Sequence, residues 1–305
     1  MPRVSVITAT YNRSEVLRWA IESVRSQTFA DWEHIIVGDA CTDDSAEVVA
    51  SFNDSRIRFH NRSQNFGEQS EPNNDGLNLA AGELVAYLNH DDLWFPDHLQ
   101  KLAAYIRQTK ADLVHALPLN IDSHGQAFCG DSNAELRYDP SQFVPASLWL
   151  ARRELFEDLN GWRPAAEIYA RNPSQDVLFR SWRLAKNLRC HPDFTAIILA
   201  SGGRPNCYVE RDDSQHAEIW NQMQNPRFRE QLAIKLVTES ARKLKRLSST
   251  HLSARISRVV DRRLVKMGLH PDAVRNRLAF RRKGWWIRHL RELRGLPPLT
   301  NRKAS

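Results

Sequence analysis

Four short apolar runs, separated by stretches of helical periodicity, decide most of what this chain can become. Residues 4–9 (VSVITA), 32–37, 57–60 and 84–88 have strand length, and the first and last are richest in β-branched and other apolar side chains. Between the first two, Val16, Leu17, Ala20, Ile21 and Val24 recur at helical spacing, and 46–52 and 77–81 read as further helical segments. Strands about 25 residues apart with helices between them predict a parallel sheet built by right-handed crossovers. The fourth run is continuous, as in a strand buried on both faces. It ends in Asn89-His90-Asp91-Asp92, and Pro96 then suits the first turn of a new helix. Carboxylates at the end of a central strand lie where open α/β sheets bind ligands. Two adjacent carboxylates repel each other unless a cation holds them, and ions such as Mg²⁺ take carboxylates together with substrate phosphates. The residues alone also allow a plainer reading, in which Asp92 caps the next helix and Asp91 is merely exposed.

The motifs fall in a telling order. Residues 2–7 (PRVSVI) lead into Tyr11-Asn12; Ser26-Gln27-Thr28-Phe29 and Trp32-Glu33 follow, then the loop 39–43. Asn74-Asp75-Gly76-Leu77, Ala81-Gly82-Glu83, the acidic pair and Phe95-Pro96-Asp97-His98-Leu99 come next. Through about residue 100 this series resembles the family-2 glycosyltransferases, with a looser likeness to about residue 185. The resemblance implies an α/β GT-A fold, a Rossmann-like, mostly parallel sheet flanked by helices. It implies an enzyme that transfers a sugar, with inversion, from a nucleotide-sugar donor of UDP type to a hydroxyl of a glycan or glycolipid. By motif matching, Thr8, Ala9, Tyr11 and Asp39 would hold the base, Tyr11 against its ring and Asp39 on the uracil imide. Asp91 would lie near the ribose or metal and Asp92 at the metal, a divalent Mn or Mg ion, with His216 or His191 completing the set. Three positions depart from the pattern: Gly38 and Asn89 replace an Asp each, and Asn73 stands where the family often has an Arg.

Further on, 99–108 reads as a helix, 113–121 as a strand and 122–126 as a hairpin loop. Gln175-Asp176 resembles the Glu-Asp pair that opens the family's acceptor-side helix, which makes Asp176 the general base. Ser174 as an N-cap with Asp176 in the first turn is the ordinary helix-start alternative. Residues 201–206 read as a glycine-rich loop, with Arg204 as a phosphate partner or, equally, as part of a solvated loop. A Q-x-x-R-W element, carried by the family's processive synthases, is absent, which favours single addition.

Charge divides the chain. Residues 1–224 hold 21 Lys and Arg against 31 Asp and Glu, net −10, whereas 225–305 hold 22 against 5, net +17. The expected organisation is a catalytic domain over 1–216, with a nucleotide-sugar half (1–110) and an acceptor half (111–216), then a basic helical C-terminal region over 217–305. Trp285 and Trp286 in a basic helix suit peripheral contact with an anionic membrane through 270–305, while packing on the body is the alternative. No assigned donor-site residue lies in 270–305, so its removal is expected to spare the donor site. Four widely spaced cysteines, no apolar run of membrane length and no visible signal peptide point to a cytoplasmic protein, peripheral at the inner face of the plasma membrane if the tail binds lipid. Two rival functions fit parts of this pattern: a nucleotidyltransferase, and a nucleic-acid-binding protein acting through the tail, against which the acidic body argues.

Overall fold

The computed structural model describes residues 3–122, 124–130, 132–169, 172–199, 204–246, 251–280 and 283–299, with the backbone alone over 239–246 and 251–258. The first half runs β1 (Val4–Thr10), α1 (Ser14–Arg25), β2 (Trp32–Gly38), α2 (Ser45–Ser51), β3 (Ile57–Asn61), α3 (Ser70–Leu79), β4 (Leu84–Tyr87), β5 (Leu93–Trp94) and α4 (His98–Thr109). The second runs β6 (Leu113–His115), β7 (Leu119–Ile121), β8 (Ala127–Cys129), β9 (Trp149–Arg152), α5 (Arg153–Asp158), α6 (Pro173–Arg183), β10 (Leu188–Cys190) and β11 (Ala196–Leu199). Helices α7 (Ser214–Met223), α8 (Phe228–Arg246), α9 (His251–Lys266), α10 (Pro271–Phe280) and α11 (Trp285–Leu293) follow.

A seven-stranded sheet has the order β10-β6-β9-β4-β1-β2-β3. Its pairs are parallel except at β9, which runs antiparallel to both β4 and β6. The mostly parallel α/β sheet expected from the sequence is therefore present. The chain leaves β1 toward β2 and β3 on one side, then returns to lay β4 on the other. That reversal opens a crevice beyond the carboxyl ends of β1 and β4. Val4, Val6, Ile7 and 84–88 are fully buried, the burial that a continuous apolar run anticipates. Helix α1 covers one face with Val16, Leu17, Ala20, Ile21 and Val24. On α3, a Cβ at Gly76 would stand 2.5 Å from Ile7 Cγ2, so glycine is what lets this helix press onto β1. Two residues before Gly76, Asn74 clasps the second half: its Oδ1 accepts the Trp162 N–H at 2.8 Å and its Nδ2 donates to the Trp162 carbonyl at 3.0 Å. Tyr87, Trp149, Phe156 and Trp162 interlock there, with Trp149 and Trp162 stacked at 5.8 Å. Truncating such a ring costs about 3–5 kcal/mol.

Several local expectations change. The run 113–121 is two strands in two sheets, since Pro118 separates β6 from β7, and the latter joins a four-stranded sheet ordered β5-β11-β7-β8. Pro96 does not open the helix after the acidic pair. Strand β5 intervenes and pairs with β11, and α4 begins at His98. Ser14 is the first residue of α1, and its hydroxyl donates to Asp44 at 2.5 Å. Asn172, not Ser174, caps α6, accepting the Gln175 N–H at 3.2 Å.

The basic C-terminal region is helical, and it returns to the body. Leu93, Leu119 and Ile197 of the smaller sheet share a core with Ile219, Leu232 and Leu236 of α7 and α8. Gly284 N–H donates to the Ile168 carbonyl at 3.0 Å, and Asn206 N–H to that of Leu293 at 2.8 Å, which docks both ends of α11. Among the described residues no helix is long and apolar enough to cross a membrane.

Candidate active site

A cavity of about 330 Å³ opens where the crevice was expected. Ala9, Thr10 and Tyr11 reach it from the end of β1, Asp39 from the end of β2, and Asn89, His90, Asp91 and Asp92 from the end of β4. Asn65, Gly67 and Glu68 form a second wall, Asn172 and Pro173 at the start of α6 a third. Tyr208 and, from α11, Ile287, Leu290, Arg291 and Arg294 close the remaining side.

Asp39 is buried in a cradle of donors. Its Oδ1 accepts the Phe66 N–H at 2.8 Å, its Oδ2 the Gly67 N–H at 2.7 Å and Asn65 Nδ2 at 3.1 Å, and Arg62 Nε lies 3.5 Å away. Burial pushes the carboxyl above its ordinary range, against those amide bonds and the charges of Arg62 and Arg291. The glycine before it has a steric cause. A Cβ at Gly38 would stand 2.5 Å from Asn61 Oδ1 and 2.8 Å from Phe59 Cζ, so an Asp there is excluded as the loop is packed. Asn61 and Asn12 hold that loop, accepting the N–H groups of Cys41 and Thr42 at 2.8 Å each.

The two adjacent aspartates face different ways. Asp92 is 1 % exposed and turned inward: it accepts from Ser147 Oγ, from Asn89 Nδ2 at 2.9 Å and from the Leu199 N–H at 3.0 Å. It thus ties the end of β4 to β9 and β11, and it caps no helix. Burial and then the neighbouring Asp91 charge push its carboxyl up to about 8. Asn89, in place of the family's Asp, donates where a third carboxylate would repel. Asp91 lines the cavity; burial works against its ionisation, but His90, Arg13, His216 and Arg294 hold its carboxyl below the ordinary range. Buried His216 directs Nε2 at the Asp91 carbonyl, 3.0 Å away, and its buried Nδ1 has no hydrogen-bond partner. Among the described residues no three His, Cys, Asp or Glu side chains converge as a metal-holding group. The donor set therefore does not fit an all-protein metal cage. It fits a hard divalent ion held by Asp91 and completed by phosphate oxygens, the usual manner of Mg²⁺.

Of the residues singled out by sequence, Ala9, Tyr11, Asp39, Asp91 and Asp92 share this one cavity. Others do not line it. The Thr8 hydroxyl lies within the sheet, 2.9 Å from His34 Nε2. Arg204 is paired with Asp212 at 2.7 Å, and residues 201–203 of its loop lie outside the described residues. His191 packs edge-on against Tyr105. Asp176 sits one turn into α6, behind the Asn172–Pro173 rim, accepting from Arg180 Nε at 2.6 Å with Arg163 Nη1 at 3.8 Å. Conversely, sequence reading passed over His90, Glu68, Tyr208, Arg291 and Arg294. Burial pushes Glu68 up to about 7 and His90 down to about 4. The expectation that 270–305 stands clear of the donor site fails, because α11 forms a wall of the cavity. A signal was available: Ile287, Leu290, Arg291 and Arg294 share one helical face that is apolar and cationic at once.

A mostly parallel α/β sheet flanked by helices, with a crevice at its reversal point, defines a GT-A type of fold. The chain matches the glycosyl transferase family 2 model over residues 5–159, just over half its length, and it belongs to that family. It is similar to the glycosyltransferase GlyG of Streptococcus pneumoniae, 26% identical over 178 residues, covering 52% of this chain and 59% of the relative. It is also similar to the Campylobacter jejuni GalNAc(5)-diNAcBac-PP-undecaprenol β-1,3-glucosyltransferase, 41% identical over 95 residues and covering 30% of each chain. Matches thus span less than two thirds of these relatives. Among solved structures, Staphylococcus aureus TarS 1-349 in complex with UDP-GlcNAc superposes with a TM-score of 0.56 at 19% identity, covering 65% of this chain and 58% of that one. The mannosyltransferase PcManGT of Pyrobaculum calidifontis, in complex with GDP-Man and Mn²⁺, gives 0.53 at 17% identity, covering 90% and 87%.

Proposed function

We propose that this chain transfers a sugar, with inversion, from a nucleotide sugar to a hydroxyl of a glycan or glycolipid. The observation that carries the reading is one cavity with the Asp39 cradle on one wall and Asp91 on another. In this reading the base lies against Tyr11 with its imide N–H on Asp39, which favours uracil. A divalent Mn or Mg ion binds through Asp91 and the donor diphosphate, and supplies Lewis-acid stabilisation of the departing phosphate. Asp92 orients Asp91 through its own bonds to Ser147 and Leu199, and His216 fixes the Asp91 backbone. Attack by an acceptor hydroxyl needs a base at hydrogen-bond distance. Asp176 takes that part: its contact to half-exposed Arg163 is long and can give way to an acceptor, while Arg180 holds the other oxygen.

A glycolipid acceptor suits the tail. Exposed Met267, Leu269, Leu278 and Phe280 accompany the basic side chains of α9 and α10, a combination that favours an anionic leaflet. This keeps the peripheral membrane contact in the C-terminal region while α11 serves the cavity. The discriminating experiment is a thermal-shift panel of UDP- and GDP-sugars with and without Mn²⁺. A ligand of the native state at 100 times its Kd adds about 2.7 kcal/mol of stability. A Mn²⁺-dependent rise with UDP-sugars is expected; no rise with any nucleotide sugar contradicts the proposal.

A further inference from the structure

Two arginines from opposite ends of the sequence meet at Tyr208. Arg13 is fully buried; its Nε donates to Glu15 at 2.7 Å, while Nη1 and Nη2 are buried with no hydrogen-bond partner. Its guanidinium stands 5.1 Å from the Tyr208 ring centroid. The Arg294 guanidinium stands 5.8 Å from the same centroid and, unlike Arg13, lines the cavity together with Tyr208 and Asp91. Burial of the Arg13 guanidinium is offset by two carboxylates, Glu15 in direct contact and Asp91 nearby. Asn73, where the family resemblance implies an arginine, is buried in α3 and brings no charge. The cavity's cations come from elsewhere.

Helix α11 is firmly held in place. Arg291, 4 % exposed, donates Nη1 to the Gly67 carbonyl at 2.7 Å and Nε to that of Pro297 at 2.9 Å. Gly67, at φ +95°, has no room for a Cβ, which would lie 2.9 Å from Arg291 Nη1. Tyr208 N–H in turn reaches the Arg294 carbonyl at 3.4 Å. The Arg294 side chain is thus delivered by a backbone that is fixed on two sides.

We propose that Arg294 binds the diphosphate of the donor, so that the C-terminal helix α11 is part of the nucleotide-sugar site. This rests on the donor-site reading above and adds the residue that replaces the arginine missing at Asn73. The ligand class is an organic diphosphate, and a nucleoside without phosphate does not engage Arg294.

The test is calorimetric titration of the full chain in Mn²⁺ with UDP and uridine, and in parallel with GDP and guanosine, for wild type, Arg294→Ala and Arg294→Lys. Loss of a charge-assisted contact predicts diphosphate binding weakened roughly 10–100-fold in Arg294→Ala. Nucleoside affinity should stay unchanged, and the Lys variant should recover part of the loss. Equal weakening of nucleoside and diphosphate in both variants overturns the proposal in favour of a structural wall. Unchanged diphosphate binding in Arg294→Ala overturns it outright, while leaving the donor site standing. Wild type that binds neither diphosphate removes the donor-site reading and this inference together.

Discussion

Replacing Asp39 by Asn probes the base-recognition end of the site. In the wild type both carboxylate oxygens accept main-chain N–H groups, from Phe66 at 2.8 Å and Gly67 at 2.7 Å. An amide keeps one acceptor and turns an NH₂ toward the other partner. One buried N–H is then left unsatisfied, which costs about 1–3 kcal/mol of stability. The second effect concerns the ligand. A uracil imide N–H bonded to a charged acceptor is worth about 1.5–3 kcal/mol, so UDP affinity should fall roughly 10–150-fold. Cytosine offers an acceptor at the same ring position, which the new NH₂ can satisfy, so CDP binding should fall far less or improve. Titration calorimetry of both nucleotides against both proteins gives the ratio of affinities. General loosening of the loop lowers both ligands alike; only direct reading of the base moves the ratio. Parallel losses for UDP and CDP, or no loss for UDP, would refute the assignment of Asp39 to the base.

Three further outcomes are expected. Asp176→Asn should keep nucleotide affinity and lower sugar transfer by about 10²–10⁴-fold, measured by steady-state kinetics; a matching loss of nucleotide binding would assign Asp176 a structural role with Arg180. Burial holds His34 and His98 down to about 3 and His115 to about 4, so the folded state keeps them neutral. Their stabilising contribution is present above the unfolded value of 6.5 and is lost as pH falls toward the folded values, at up to about 1.4 kcal/mol per pH unit for each. Urea midpoints should therefore drop steeply below that value, and a flat profile there would contradict the burial argument. Finally, the protein should co-sediment with anionic vesicles and be released by salt, and Leu278→Glu, at a side chain 75 % exposed, should weaken sedimentation without altering the melting temperature. Equal sedimentation of both proteins would count against membrane contact through α10.

The strands β1, β2 and β4 are legible in the sequence because each is rich in apolar side chains at strand length, and in β4 the run is continuous. The cavity's floor follows from them: Tyr11, Asp39 and Asp91 each stand just beyond such a run. What the sequence hides are the contacts made across long separations. The inward turn of Asp92 depends on Ser147 and Leu199, which lie 55 and 107 residues away. Arg291 meets Gly67 across 224 residues, and periodicity along α11 shows an amphipathic face without saying what it covers. The split of 113–121 had a signal in Pro118, which interrupts the run, but which sheet each half joins depends on its pairing partners. The steric exclusion of an Asp at Gly38 likewise lies in Asn61 and Phe59 on the neighbouring strand.

The most direct test of the account is to incubate the full chain with a UDP-sugar and Mn²⁺, identify the released nucleotide, and follow the anomeric configuration of the released or transferred sugar by NMR. The account predicts a nucleoside diphosphate, a product of inverted anomeric configuration, and loss of both on chelation of the metal or in Asp91→Asn. Release of pyrophosphate, which marks nucleotidyl transfer, or turnover that is unaffected by chelation and by Asp91→Asn, would contradict it.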